Sequence, residues 1–358
     1  MNLYRLFLIF PVILFLTLSS CSKNDNSNNN SYLDKPVCDS SFTPKTYSSQ
    51  VVGFYPSWKL DVMPMTGIRW DKLTRIIYAF ALPNTDGTIE TGSLVNISQL
   101  VDLAHAHGVE VYFSVGGGDG SANYPPMAMN DKTRGRFIKE VKQYIFANCL
   151  DGVDIDWEHW SSDVTNTVNP AESGALVSVV KELKQVLEPF HLGISIDLGG
   201  SDWWVRDYDD QIVTYVDHLQ VMAYDFSGPW SGPGPHSSYE QSIGSGNDAS
   251  STGLAYYVNY RHWPKDHILL GVPFYGYNFD LNGGTGIAFG DILTQFPDAY
   301  KSDQVNNIYY NGLPTMANKS AYVVDQGYSG IMIWEITQDS PVDSTSLLST
   351  IYSVLNPR

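Results

Sequence analysis

The sequence predicts an α/β fold, a (β/α)8 or TIM barrel. From Gln50 onward, short β-branched or apolar runs alternate with longer helical stretches, the pattern of parallel strands covered by helices. Eight such runs can be counted, which is the number that closes this barrel. The 358 residues are compatible with one large domain, because α/β barrels of this size commonly form a single unit.

The predicted strands share a high content of Val, Ile, Leu and aromatic residues, in continuous or alternating runs. They are Val51–Tyr55, Arg75–Leu82, Glu110–Val115, Gly152–Glu158, Leu192–Asp197, His218–Tyr224, Ile268–Phe274 and Gly330–Ile336. Helices are predicted around Lys132–Ala147, Ala171–Leu187 and Thr315–Gln326. In this fold the functional groups lie at the C-terminal ends of the strands.

The end of the fourth predicted strand carries three carboxyl groups. Strand side chains alternate between two faces, so Asp154, Asp156 and Glu158 share one face and the apolar residues between them share the other. Carboxyl groups packed this closely disfavour one another's ionisation, so at least one keeps its proton beside an anion. This arrangement suits acid catalysis better than a solvated acidic face.

The stretch from Asp151 to Glu158, Asp-Gly-Val-Asp-Ile-Asp-Trp-Glu, resembles the signature of family 18 glycoside hydrolases, the chitinase family. The resemblance covers most of residues 50–340. Five further stretches resemble the first, third, sixth, seventh and eighth strands of the family: Val51–Trp58, Ser114–Gly117, Gln220–Phe226, Gly271–Gly276 and Gly330–Glu335.

The resemblance implies a retaining hydrolase that cleaves β-1,4 linkages of N-acetylglucosamine polymers or oligomers by substrate-assisted catalysis. Glu158 would be the general acid, and Asp156 would orient the substrate's acetamido group, whose oxygen attacks the anomeric carbon. Asp154 would share a proton with Asp156, and Tyr224 would donate its hydroxyl to the acetamido oxygen.

The resemblance also implies a set of substrate-binding residues, and a supporting role for Ser114 as a hydrogen-bond donor to Asp154. The substrate-binding residues are Asp225, Met222, Trp334, Trp58, Gln220, Trp230 and Gly117. For Trp58, Trp230 and Trp160, which follow predicted strands, packing remains an equal alternative to sugar stacking.

The chain departs from the family pattern at three places. Phe54 stands where many members have a tyrosine whose hydroxyl supports the middle aspartate of the signature, and Tyr277 stands where many have arginine. The stretch between the seventh and eighth strands leaves little room for the α+β insertion of deep-cleft members. We therefore expect a short insertion and a shallower groove.

Two other functions remain open. An endo-β-N-acetylglucosaminidase acting on N-linked glycans would use the same catalytic strand. A non-catalytic chitin-binding or sugar-binding protein could share the barrel, but such members typically lose the acid, whereas Glu158, Asp156 and Tyr224 are all present.

Composition excludes several classes of partner. The formal charge of −17 argues against nucleic acid. The eight histidines show no H-E-x-x-H spacing and the three cysteines form no zinc pair, so we expect no metal and no cofactor. We expect a monomer that binds N-acetylglucosamine-containing saccharides.

The N-terminus predicts export. Residues 1–20 have an apolar run behind Arg5 and end Leu18-Ser19-Ser20, before Cys21, which resembles the processing box of bacterial lipoproteins. Residues 21–47 would then be a lipidated cysteine and flexible tether, and 48–358 the catalytic barrel. This predicts anchoring through Cys21 to a bacterial membrane, expected to be the outer one, on its periplasmic or cell-surface face.

The two remaining cysteines are Cys38 and Cys149. Two cysteines are too few to indicate a disulfide framework. We expect them to be separate small apolar residues, although a disulfide is conceivable in an exported protein.

Overall fold

The computed structural model describes Cys38 and residues 42–200, 205–280 and 283–357. The predicted signal sequence, Cys21 and most of the predicted tether lie outside the described residues. Within the described ranges, the structure contains no helix long and apolar enough to cross a membrane.

Eight parallel strands close into a barrel, which confirms the predicted fold class. Each strand pairs with the next along the chain, and the last pairs with the first. The strands are β1 Gln50–Pro56, β2 Arg75–Pro83, β3 Glu110–Gly116, β4 Gly152–Asp156, β5 Gly193–Gly199, β6 His218–Met222, β7 Ile268–Pro273 and β8 Gly330–Trp334. A short strand, Ile89–Glu90, pairs antiparallel with the end of β2.

Helices cover the outside of the barrel. They are α1 Ile97–Ala106, α2 Tyr124–Ala128, α3 Asp131–Asn148, α4 Ser162–Thr165, α5 Pro170–Leu187, α6 Tyr239–Ile243, α7 Gly253–Ala255, α8 Phe289–Gln295, α9 Leu313–Gln326 and α10 Leu347–Leu355. Asparagine side chains cap the two longest: Asn130 accepts from the backbone N–H of Lys132, and Asn169 from that of Ala171. Helices α3, α5 and α9 begin and end within two residues of the predicted positions.

The insertion between β7 and β8 is small, as predicted. It contains a four-stranded antiparallel sheet of short strands together with α8. The strands are Tyr275–Asn278, Thr285–Ala288, Gln304–Val305 and Ile308–Tyr309. Tyr277 and Tyr309 are direct cross-strand partners in this sheet, so the insertion places Tyr277 beside the C-terminal end of the barrel.

The barrel interior is closed at its N-terminal end by a stacked ion pair. The guanidinium of Arg75 lies over the ring of Tyr112 at 4.1 Å and pairs with Glu110 at 2.8 Å. Above it, an apolar layer that includes Val52, Leu269 and Met332 fills the interior. Polar groups at the C-terminal end of the strands are therefore separated from water below.

The expectation for the two cysteines is wrong: Cys38 and Cys149 form a disulfide, with Cα atoms 5.6 Å apart. The chain before β1 crosses the N-terminal end of the barrel, where Phe42 stacks on His105 at 3.8 Å. The backbone N–H of Lys45 donates to the carbonyl of Gly108. This route brings Cys38 to Cys149, which follows the last residue of α3. Because 111 residues separate the two cysteines in the sequence, their spacing does not indicate the pairing.

Breaking this disulfide should destabilise the barrel. We expect Cys149→Ser to lower the free energy of unfolding by about 2–5 kcal/mol, because a cross-link closing a long loop restricts the unfolded chain. Urea unfolding under oxidising conditions measures this, and Cys38→Ser is the matched control, which should give the same loss. An unchanged unfolding midpoint in either variant would contradict the stabilising role.

Candidate active site

Asp154 lies at the centre of the site, fully buried inside the barrel on β4. Three neutral side chains from neighbouring strands donate to its carboxylate. Ser114 donates to Oδ2 at 2.7 Å, and Ser195 and Gln220 donate to Oδ1 at 2.6 and 2.9 Å. Strand register brings the two serines into place, since Ser114 and Ser195 are the β3 and β5 partners of Asp154.

Asp156 and Glu158 lie nearer the C-terminal end of the barrel and are hydrogen-bonded to each other. Two carboxyl groups can make this contact only with a proton between them. The backbone N–H of Glu158, just beyond the end of β4, donates to Ser121 Oγ at 3.0 Å. Oδ1 of Asp156 is buried and has no hydrogen-bond partner in the described structure, so it is available to a donor on a ligand.

Burial sets the protonation of these two groups. It raises the pKa of Glu158 to about 7; the hydrogen bond with Asp156 opposes this, and the charges of Asp225 and Asp119 add to it. Burial likewise raises the pKa of Asp156 well above its ordinary value, with further contributions from the charges of Glu158 and Asp154. Near neutral pH a proton is therefore present on this pair, as general acid catalysis requires.

A cavity of about 160 Å³ opens directly above these carboxyl groups. It is lined by Phe54, Phe80, Gly118, Asp156, Glu158, Asp197, Met222, Tyr224, Asp225, Tyr275 and Trp334. Burial and the nearby carboxyl groups, Asp197 foremost, raise the pKa of Tyr224 well above its ordinary value, so its hydroxyl keeps its proton and can donate.

Asp225 is held on the cavity wall through one oxygen. The hydroxyls of Tyr275 and Tyr277 donate to its Oδ1 at 2.6 and 3.0 Å, and Nδ1 of the buried His236 lies 3.2 Å from the same atom. At position 277 the resembling family often has arginine. In this chain the neutral hydroxyl of Tyr277 contacts the aspartate instead. No protein donor contacts the other oxygen, Oδ2, within the described residues.

Aromatic side chains extend from the cavity to the surface. Trp334 stacks on Phe80 at 5.7 Å between ring centres, and Phe80 stacks on Trp58, which is 58% exposed. On another side, Trp230 is 62% exposed and packs edge-on against Tyr277. Exposed rings beside a polar cavity are suited to stacking on sugars.

Gln220, Trp160 and Gly117 do not line the cavity. Gln220 is fully buried beneath it, and Trp160 is packed in the core against Trp157. Gly117 has φ 87°, and a Cβ there would lie 2.8 Å from the ring of Phe80, so its role is close packing. Phe54 packs edge-on against Trp334 and, lacking a hydroxyl, donates nothing to Asp154.

Asp197 is a buried carboxyl group of the cavity that was not predicted from the sequence. It lies on β5, is 1% exposed and lines the cavity. Gln220 donates to its Oδ1 at 3.1 Å, and its Oδ2 is buried without a partner in the described structure. The sequence does contain a pattern that predicts this position. Ser195 and Asp197 alternate with apolar Ile194 and Ile196, which places both polar residues on the interior face.

Comparison with known proteins agrees with this geometry. The family described as "Glycosyl hydrolases family 18" matches residues 50–339. The chain belongs to this family. The family 18 match spans all eight barrel strands and every residue that lines the cavity.

Several curated proteins resemble the chain. A "chitinase-like effector" of Moniliophthora roreri is 28% identical over 243 residues, covering 64% of this chain and 58% of that protein. "Probable chitinase 2" of Drosophila melanogaster is 23% identical over 297 residues, covering 70% of this chain and 60% of that protein. The chain thus spans less than two thirds of the length of these curated relatives.

Solved structures match over nearly their whole length. The chitinase ChiB from the chitin utilization locus of Flavobacterium johnsoniae has a TM-score of 0.72 and 29% identity, covering 87% of this chain and 94% of its own. A chitinase from Bacteroides thetaiotaomicron has a TM-score of 0.75 and 25% identity, and the match covers 86% of this chain and 96% of that structure.

Proposed function

We propose that this family 18 protein is a retaining glycoside hydrolase that cleaves β-1,4 linkages between N-acetylglucosamine residues of chitin or chito-oligosaccharides. One observation carries the proposal: Glu158, with a pKa of about 7, faces a cavity that it shares with Asp156 and Tyr224. An enzyme at neutral pH needs such a proton donor beside groups that can orient the reacting sugar. The chitinases among the similar proteins support this substrate class.

The reaction would be substrate-assisted. Glu158 protonates the glycosidic oxygen while the acetamido oxygen of the substrate attacks the anomeric carbon, giving an oxazolinium ion. The unpartnered Oδ1 of Asp156 accepts the acetamido N–H. Tyr224 donates its hydroxyl to the acetamido oxygen and holds it for attack. Glu158, now ionised, then accepts a proton from the water that opens the ring.

Substrate contacts outside the reacting centre would come from the cavity wall and its aromatic rim. The free oxygen of Asp225 accepts a sugar hydroxyl, and Trp334 forms the floor under the bound sugar beside Met222. Trp58 and Trp230 stack on sugar units further along the bound saccharide. Every one of these groups is neutral or acidic, which suits a neutral saccharide.

A second candidate is the endo-β-N-acetylglucosaminidase. The observation that favours it is the small insertion, whose strands have two to four residues. A low wall on that side would admit a branched glycan. Product analysis on chitin oligomers and, separately, on N-glycoproteins distinguishes the two activities.

Replacing the general acid tests the function directly. We expect Glu158→Gln to keep the fold and the affinity for chito-oligosaccharides but to reduce kcat by about 10²–10⁴-fold, because the amide cannot protonate the leaving group. The control is Glu240→Gln on the exposed surface of α6, which should hydrolyse at the wild-type rate. Near-normal turnover by Glu158→Gln would contradict the role of Glu158, and no hydrolysis by the wild type would favour a binding protein.

The substrate's own part in the reaction gives an independent test. The first product anomer, followed by NMR on an N-acetylated oligomer, should retain the configuration of the substrate because two inversions occur at one carbon. A thiazoline analogue of N-acetylglucosamine should inhibit by resembling the cyclic intermediate. An inverted first product, or efficient cleavage where the reacting sugar carries a free amine, would rule out this mechanism.

We also propose that the protein is exported and anchored to a bacterial membrane through a lipid on Cys21. The disulfide between Cys38 and Cys149 supports export, because disulfides persist in oxidising compartments. The acidic, neutral-sugar-binding barrel would then act on saccharides outside the cytoplasm.

Cell fractionation tests the anchor. We expect Cys21→Ser to release the protein from the membrane fraction or to leave an unprocessed precursor, since no thioether can form. Ser22→Ala, which leaves the lipid-accepting thiol in place, is the control and should remain membrane-bound. A Cys21→Ser protein with wild-type membrane association and electrophoretic mobility would exclude lipidation.

A further inference from the structure

We propose that Asp197 is a fourth carboxyl group of the active site. As a positioning residue it holds a proton against Asp154, so that Asp156 is left to engage Glu158 and the substrate. The inference rests on the proposed function for its effect on catalysis, but the location of the proton can be measured without any substrate.

The strand geometry brings the two carboxyl groups together. Asp197 and Gln220 are register partners on β5 and β6, and Nε2 of Gln220 contacts both carboxyl groups, at 2.9 Å from Asp154 Oδ1 and 3.1 Å from Asp197 Oδ1. Asp154 and Asp197 are also hydrogen-bonded to each other. Because a carboxylate can only accept, one of the two must carry a proton.

The surroundings place that proton on Asp197. Asp154 accepts from Ser114, Ser195 and Gln220, which together satisfy an ionised carboxylate. Among the described residues, Asp197 accepts a hydrogen bond from Gln220 alone, on Oδ1, and no donor contacts its Oδ2. Burial raises the pKa of both groups, but for Asp154 the hydrogen bonds from Asp197 and the serines oppose the rise, whereas for Asp197 the charges of Asp154 and Asp156 increase it.

This assignment separates the four carboxyl groups into two pairs, Asp154 with Asp197 and Asp156 with Glu158. Each pair holds one proton, so Asp156 need not share its proton with Asp154 as the sequence analysis expected. Asp197 thereby keeps Asp154 ionised, and the charge of Asp154 favours protonation of the Asp156–Glu158 pair.

Several titratable groups act on Asp197 from the neighbouring elements. The groups that face it are Asp154, Asp156 and Glu158 from β4 and its C-terminal end, Tyr224 from the chain after β6, and Tyr208 from the chain after β5. A cation, Arg75, acts on this cluster from below through Asp154. Its influence is the same in all the variants described below.

Two substitutions separate proton donation from charge. Asp197→Asn supplies an N–H in place of the O–H and an oxygen for Gln220, so we expect kcat/KM within about threefold of wild type, a change below that of one lost hydrogen bond. We also expect an unchanged alkaline limb near pH 7, where Glu158 loses its proton. Asp197→Leu removes the donor, and we expect kcat to fall by about 10–100-fold, the range for losing a hydrogen bond to a charged group.

The pH profile of the leucine variant has a definite sign. Without the donor, the pKa of Asp154 rises and Asp154 takes up a proton. The negative charge that raises the pKa of the Asp156–Glu158 pair is then lost, so the alkaline limb should move to lower pH. A structural role alone would lower the melting temperature without moving this limb.

The matched controls are Asp207→Asn and Asp207→Leu. Asp207 is also a buried carboxyl group, bonded to Ser162 at 2.8 Å, but it does not line the cavity. These variants should change stability and leave the pH profile in place. Equal damage from Asp197→Asn and Asp197→Leu, or a leucine variant with wild-type kcat and pH profile, would overturn the proposal.

The proton can be located directly in the unliganded wild-type protein. With ¹³C-labelled aspartate carboxyl groups, the resonance that disappears in Asp197→Asn should have the shift of a protonated acid at pH 6, and that of Asp154 the shift of a carboxylate. An ionised Asp197 at pH 6 would refute the assignment. Because no substrate is present, this result stands even if chito-oligosaccharides prove not to be hydrolysed, an outcome that would contradict the proposed function alone.

Discussion

The buried carboxylate of Asp154 is the constraint on which the site depends. An isolated charge inside the barrel would be costly, and it is tolerated here because donors from β3, β5 and β6 converge on it. Those donors are in place only if three strand pairings keep their register. A slip of one residue would turn every side chain of a strand to the other face. The buried charge therefore favours the correct strand register, and the correct register is what makes the buried charge tolerable.

Burial by aromatic rings then adjusts the chemistry. Trp157 is fully buried behind β4 and stacks on Tyr124 at 4.9 Å, while Phe54 and Trp334 cover the interior side. The resulting dry environment opposes ionisation, so it raises the pKa of Glu158 and of Tyr224 alike. One physical cause therefore supplies both the acid and the neutral hydroxyl donor that the proposed reaction needs.

Sequence patterns predicted the barrel well because its strands and helices have regular periods. The first residue of all eight strands was predicted exactly or within one position, and the acidic face of β4 followed from alternation. What failed depends on contacts between distant segments. The disulfide needs the chain before β1 to cross the barrel base, and Asp197 acquires its partners only when β5 lies between β4 and β6.

Position 277 illustrates how a departure from the family pattern can keep a neighbouring group in place. The hydroxyl of Tyr277 joins Tyr275 and His236 on one oxygen of Asp225, so the aspartate is oriented without an arginine. A hydroxyl, unlike a guanidinium, brings no positive charge to the cavity. The charge of Asp225 therefore continues to raise the pKa of Glu158. A neutral donor at this site thus orients Asp225 without lowering the pKa of Glu158, as the proposed reaction needs.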